Sequence, residues 1–311
     1  MALTRRALIM LGAAAALGGC GSSLSGRQLR VATGGSGGVY FTLGSKLASA
    51  WHNELGVATT VRQTSGSVDN LVALNNNAAD VAFVAADAAA PASAGLRALA
   101  RIYDDYIQVL VRDKSDIEAL TDLRGRAVAI GSDNSGVQVV ARNLLKAAGL
   151  PDTSASYAKT NLHDSLSDLV AGKLDALFWS GGLPTPDITS TLKQQPQGTL
   201  RMLNLSVPSG SSLPYYNVET VPQTAYPLLA RGEKPVSTLA VHNLLMVNEN
   251  MPADEAEALV RTLFDAQPDL ASDSNQVVAL AAQLIDRRAA IETAPIQLHD
   301  GALEYYRSAK V

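Results

Sequence analysis

Residues 29–44 read Leu-Arg-Val-Ala-Thr-Gly-Gly-Ser-Gly-Gly-Val-Tyr-Phe-Thr-Leu-Gly. Leu29 and Val31 mark a short apolar strand that runs into the turn Thr33–Gly38. A helix follows from Val39-Tyr40, with Tyr40, Leu43, Leu47 and Trp51 recurring on one face at i, i+3 and i+4 spacing. Glycines let the backbone approach a ligand, and the first turn of a helix offers unpaired N–H groups with partial positive charge. Strand, glycine turn and helix therefore form a cradle for a carboxylate, phosphate or other anion.

The unit recurs along the chain. Strands are expected near Leu29–Thr33, Val57–Gln63, Val81–Ala85, Ile107–Arg112, Ala127–Gly131, Ala155–Ala158, Asp175–Trp179 and Leu200–Leu205. Helical patterns separate them, notably Ser135–Ala148, capped by Gly149, and His163–Ala171 before Gly172. Such alternation defines an α/β fold. The halves echo one another. Val31-Ala32-Thr33-Gly34 and Val128-Ala129-Ile130-Gly131 both lead into a hydroxyl-rich turn, and Asp80-Val81-Ala82-Phe83 matches Asp175-Ala176-Leu177-Phe178. Two βαβ lobes are expected, joined by crossovers at Ile107–Arg112 and Leu239–Val247. Residues 29–107 and 240–311 form lobe 1, and 108–239 form lobe 2. A helix-rich C-terminal third, starting at Pro252-Ala253-Asp254, packs on lobe 1. Ligands of open parallel sheets bind at the carboxyl ends of the strands, so the site is expected between the lobes.

The first residues carry a secretory pattern: Arg5-Arg6, an uncharged run Ala7–Leu17, then Leu17-Gly18-Gly19-Cys20. This tetrapeptide resembles a bacterial lipobox. Residues 1–19 are expected to be a signal peptide, Cys20 the acylated anchor and 20–28 a linker, which places the protein extracytoplasmically on a membrane. Thr4–Ile9 also resembles a twin-arginine signal. Cys20 is the sole cysteine, so no intrachain disulfide forms. Net charge is −4, and −6 once Arg5 and Arg6 are removed (−4 minus 2). An acidic chain without basic clusters gives no footing for nucleic acid.

Three turns carry the chemistry. Gly34-Gly35-Ser36-Gly37-Gly38 lacks the Lys-Ser/Thr ending of a Walker loop and the third glycine of a dinucleotide fingerprint. It does satisfy G-x-S-x-G, which opens an alternative: a secreted serine hydrolase with Ser36 as nucleophile and His163, His242 or His299 in its triad. That elbow normally follows several strands, whereas here it ends the first. Gly131-Ser132-Asp133-Asn134-Ser135-Gly136 is the second turn, and Ser135 there doubles as a helix cap. Gln63-Thr64-Ser65-Gly66-Ser67 is the third. None contains Lys or Arg, so an anion would be held by N–H and O–H donors. The histidines lack metal-ligand spacing and read as structural. Neither metal nor cofactor is expected. Trp179 and Gly182 stand at the end of a buried strand, on the edge of the expected cleft.

The run Val31–Tyr40 resembles the N-terminal signature of TAXI-type solute-binding proteins, the receptors of one branch of TRAP transporters. The likeness extends through Ser65–Leu71, Ala79–Phe83, Leu123–Val128, Ser135-Gly136, Gly172–Phe178 and Leu298–Tyr306. It implies a two-lobed, periplasmic-binding-protein-like fold of type II, each lobe a mostly parallel sheet flanked by helices. Such a receptor is a monomer, not an enzyme, and delivers a carboxylate or amino acid to the membrane subunits of a TRAP permease. The implied ligand contacts fall on Thr33, Gly34, Tyr40, Ser67, Asp87, Ser135 and Gly136. Ser36, Gly37, Ser65, Ser132, Trp179 and Gly182 join them from the same turns and cleft edge. Tyr40 would pack on the solute, and Asp87 would accept an amino group.

Overall fold

A computed structural model describes residues 24–36, 38–207, 213–230 and 234–311. The expected signal peptide, the anchor Cys20 and the loop residue Gly37 lie outside the described residues. The first half of the sheet is laid down by β1 (Gln28–Ala32), α1 (Val39–Leu55), β2 (Ala58–Arg62), α2 (Ser67–Asn75), β3 (Val81–Ala85) and the short α3 (Ala86–Ala89). A long strand, β4 (Leu96–Arg112), then carries the chain across. The second half contains β5 (Ala127–Ala129), α4 (Gly136–Ala147), β6 (Ser156–Ala158), α5 (Leu162–Val170), β7 (Ala176–Gly181), α6 (Pro186–Gln194), β8 (Leu200–Met202) and β9 (Tyr216–Val221). The return is β10 (Val236–Asn248), followed by α7 (Ala253–Ala271), α8 (Gln276–Gln283) and α9 (Asp300–Ser308).

The ten strands of the described residues form one mixed sheet in the order β2-β1-β3-β10-β4-β7-β5-β6, with β8 beside β4 and β9 beside β10. The outer pairs β1–β2, β1–β3, β5–β6 and β5–β7 are parallel. The two crossing strands β4 and β10 run antiparallel through the middle and shift register at Asn243/Leu244 and Leu245/Met246. β3 reads Val-Ala-Phe-Val-Ala and is buried throughout, as a strand covered on both faces must be.

The echo seen in the sequence has a structural counterpart. Asp80, just before β3, accepts from the backbone N–H of Arg30 on β1 at 2.7 Å. Asp175, just before β7, accepts from the backbone N–H of Ala127 on β5 at 2.9 Å. Each carboxylate pins the start of one parallel strand to its neighbour. Each also meets an arginine, Arg30 at 2.7 Å and Arg112 at 3.3 Å.

The C-terminal helices pack on the first half, as expected. Leu43, Leu47 and Trp51 of α1 share a core with Leu259, Leu263 and Phe264 of α7 and with Tyr305 and Tyr306 of α9. Trp51 Nε1 donates to the Leu259 carbonyl at 3.1 Å, which satisfies the one polar atom of a fully buried indole.

Two expectations need correction. β4 begins at Leu96, not Ile107; Arg101 and Asp104 sit within the strand as paired charges. Arg101 binds Asp104 at 2.8 Å and Glu292 at 2.8 Å. β9 was unforeseen. Its four central residues are exposed on an edge, so it carries no apolar alternation.

Candidate functional site

A cleft of about 540 Å³ lies between the two halves of the sheet, within the range typical of small-molecule sites. Its walls are the N-terminal turns of α1, α2, α4, α5 and α6. Local sequence explains why each helix starts there. Ser135 Oγ accepts from the Gln138 N–H at 3.1 Å, and Asn161 Oδ1 accepts from the Asp164 N–H at 2.9 Å. The helices α1, α2 and α6 have no side-chain cap. Their first-turn N–H groups thus keep donor capacity that a bound anion can use.

Of the expected site residues, Gly34, Ser36, Tyr40, Ser65, Ser67, Ser132, Ser135, Gly136, Trp179 and Gly182 line the cleft together. Two do not. Thr33 is fully buried beneath the loop; its Oγ1 donates to the Arg62 carbonyl at 2.8 Å, and its own carbonyl accepts from Thr64 Oγ1 at 2.9 Å. It shapes the turn from behind. Asp87 sits on α3, away from the cleft lining, where Tyr216 Oη donates to it at 2.6 Å and the Ala88 N–H at 2.8 Å. Asn143 of α4 donates in turn to Tyr216 Oη at 3.0 Å. Asp87 therefore ties the halves together behind the site and does not face a solute.

Burial pushes the Asp87 carboxyl up to about 6. Between pH 4 and 6 the folded protein keeps a proton there that the unfolded chain has lost, so stability falls as pH rises through that window. Asp87→Asn is expected to gain on the wild type by about 2 kcal/mol across it. Urea midpoints of both proteins from pH 4 to 8 check this; parallel curves would contradict it.

The cleft floor comes from strands. Tyr103 and Asp105 of β4 and Ser180 of β7 reach it. Tyr40 Oη donates to Asn243 Oδ1 and lies 3.4 Å from Ser67 Oγ. Burial raises the Tyr40 and Tyr103 hydroxyls well above the usual phenol range, so both remain neutral donors. Trp179 Nε1 donates to Thr185 Oγ1 at 3.1 Å, which turns the indole along the wall. A Cβ on Gly181 would lie 2.6 Å from that nitrogen, so glycine is required beside it. Among the described residues that line the cleft there is no Lys or Arg.

The two halves touch here. A Cβ on Gly136 would lie 3.0 Å from Ser67 Oγ, one on Gly66 would lie 3.5 Å from the Gly136 nitrogen, and one on Gly182 would lie 3.4 Å from Val39. Gly66 has φ 121 and ψ −149, a region open essentially to glycine alone.

Sequence reasoning missed Tyr103, Asp105, Thr160, Asn161, His163, Ser180 and Thr185, all of which line the cleft. Thr160-Asn161 before Leu162 is a fourth hydroxyl turn opening a helix and was findable on the same logic. His163, which reads as structural in the sequence, is a wall residue of the cleft.

This arrangement, a mixed sheet with crossing strands and helix starts facing a central cleft, is that of periplasmic solute-binding proteins. The chain matches "Structure of a periplasmic transporter" at 14% identity, covering 93% of this chain and 94% of that one with a TM-score of 0.54. It is similar to a putative L-cystine ABC transporter protein from Listeria monocytogenes at 14% identity, 84% and 98% coverage and TM-score 0.52. A Xanthomonas citri protein whose structure holds a chloride ion matches at 15% identity, 90% and 99% coverage and TM-score 0.52. The chain belongs to the NMT1-like family, whose model matches residues 31–309.

Proposed function

We propose that the protein is an extracytoplasmic solute receptor that grips a small carboxylate or amino acid in this cleft and hands it to a membrane permease. One observation carries the reading: the N-terminal turns of five helices and a ring of hydroxyls converge on one cleft, with no Lys or Arg among the described lining residues. Oriented N–H and O–H dipoles suit a compact anion. The listerial neighbour is a putative L-cystine ABC transporter, and the Xanthomonas citri one is bound to a chloride ion. Both are consistent with such a ligand.

In this reading the lobes are residues 29–107 with 240–311 and residues 108–239. They close about the middle of β4 and β10, and acylated Cys20 tethers the receptor. The TAXI-like signature from Val31 to Tyr40 favours a TRAP permease as the recipient. A hydrolase is disfavoured. His242 and His299 lie outside the lining of the cleft that holds Ser36. His242 is held at both nitrogens, by Asp104 at 2.9 Å and Asn217 at 3.2 Å, and His299 Nδ1 accepts from the Gly301 N–H at 3.2 Å. His163 shares the lining with Ser36, but among the described residues no carboxylate is paired with its ring to complete a triad.

Native mass spectrometry of the protein as purified, with thermal shifts against a carboxylate and amino-acid panel, tests the proposal. A saturable shift without turnover is expected; no shift by any panel member would refute it. Ser135→Ala removes a helix cap and is expected to cost about 1 kcal/mol of stability. It also removes a cleft hydroxyl, so the panel shift should shrink beyond the change in baseline melting temperature.

A further inference from the structure

We propose that Asp105 is the subsite for a protonated amine, so that the cleft selects zwitterions over simple anions and dianions. This rests on the receptor reading above and gives its ligand a second charge. Period-two alternation puts Tyr103 and Asp105 on the cleft face of β4. Asp104 between them turns the other way, to Arg101 at 2.8 Å and His242 at 2.9 Å. Arg101 and His242, the nearest basic side chains in sequence and register, are therefore taken by Asp104.

Asp105 is 8% exposed; the Ser180 hydroxyl donates to it at a long 3.5 Å, and the buried Asn243 amide nitrogen near it makes no hydrogen bond. The charges that act on it are Asp104 and Asp87, both negative. The other titratable groups on the cleft are Tyr40, Tyr103, His163 and Asp187. A buried carboxylate with no cationic partner is costly to leave ionised. Burial, reinforced by those two carboxylates, pushes its pKa up to about 7.

An ammonium group entering the cleft changes that balance. It supplies the missing charge, ionises Asp105 and expels the proton held there. Tyr40 and Tyr103 line the same cleft, their rings meeting edge-on with centroids 6.3 Å apart. The helix starts opposite hold the anionic end. A dianion gains nothing at the floor, because its second carboxylate meets Asp105.

The test uses the full chain purified in detergent and four matched pairs: L-glutamine and 4-carbamoylbutanoate, L-alanine and propanoate, L-glutamate and glutarate, taurine and ethanesulfonate. In at least one pair the amine-bearing member is expected to bind the wild type tenfold or more tightly. Asp105→Asn should erase that preference while still binding the amine-free partner. Calorimetry at pH 7 in phosphate and in Tris should show proton release on binding of the amine, absent in the variant. Equal affinity within every pair that binds, a preference that survives Asp105→Asn, or binding without proton release overturns the proposal and leaves the receptor standing. No binding by any probe overturns both. Asp105→Ser serves as the second variant if Asp105→Asn does not fold.

Discussion

Gly301→Ala is expected to destabilise the protein by about 4 kcal/mol, lowering its melting temperature by roughly 10 °C. Gly301 lies in the first turn of α9 and is buried against the start of α7. A Cβ there would sit 1.9 Å from the Ala253 carbonyl oxygen and 2.8 Å from its carbon. That oxygen belongs to helical backbone and cannot swing aside as a side chain can. The whole of α9 must move instead. Its Tyr305 ring stacks on Phe264 at 5.5 Å, its Tyr306 ring meets Phe264 edge-on at 6.0 Å, and Tyr306 Oη donates to the Leu99 carbonyl at 3.0 Å. Lifting the helix loosens all three at once. Gly35→Ala is the control, since a Cβ there has nothing within 4 Å. Chemical unfolding of both variants checks the prediction; a loss below 1 kcal/mol for Gly301→Ala would show that α9 can shift freely.

The same glycine illustrates what was legible beforehand. Leu298–Tyr306 stood out only as part of a family signature, with no physical reason attached. The reason, a backbone crossing too tight for a methyl group, is tertiary and leaves no periodic trace. Where the determinants were local, the sequence sufficed: β3 was placed at Val81–Ala85 as observed, and the hydroxyl turns did open helices on one cleft. Charge misled once. Arg97, Arg101, Asp104 and Asp105 interrupt the apolar pattern of Leu96–Arg112, and this hid both the first half of β4 and the floor of the site. Asp87 stood as a ligand residue because the family resemblance implied it. Its partner Tyr216 lies on β9, an edge strand without alternation, so nothing in the sequence placed a hydroxyl behind it.

Gly136→Val is expected to weaken solute binding about thirtyfold or more, close to 2 kcal/mol, while leaving the solute-free protein nearly as stable as the wild type. Gly136 is the first residue of α4, and a side chain there costs its own helix nothing, since glycine is a poorer helix former than valine by about 0.3 kcal/mol and than alanine by about 1 kcal/mol. The cost arises across the cleft. A Cβ would approach Ser67 Oγ to 3.0 Å and Ser67 Cβ to 3.6 Å. Ser67 is 2% exposed, and its Oγ accepts from the Ala85 N–H at 3.0 Å, so it can turn away only by leaving a buried donor unpaired. The halves must part instead. Parting them withdraws the α2 and α4 helix starts from whatever lies between. A ligand shifts an open–closed equilibrium only by its preference for the closed state, and a variant barred from that state keeps one jaw's contacts and loses the other's. Gly136→Ala should fall between the two proteins. Calorimetric affinity for the best panel solute, with small-angle scattering in its presence and absence, decides the matter. Undiminished affinity in Gly136→Val would mean that the Gly66–Gly136 contact has no part in the bound state.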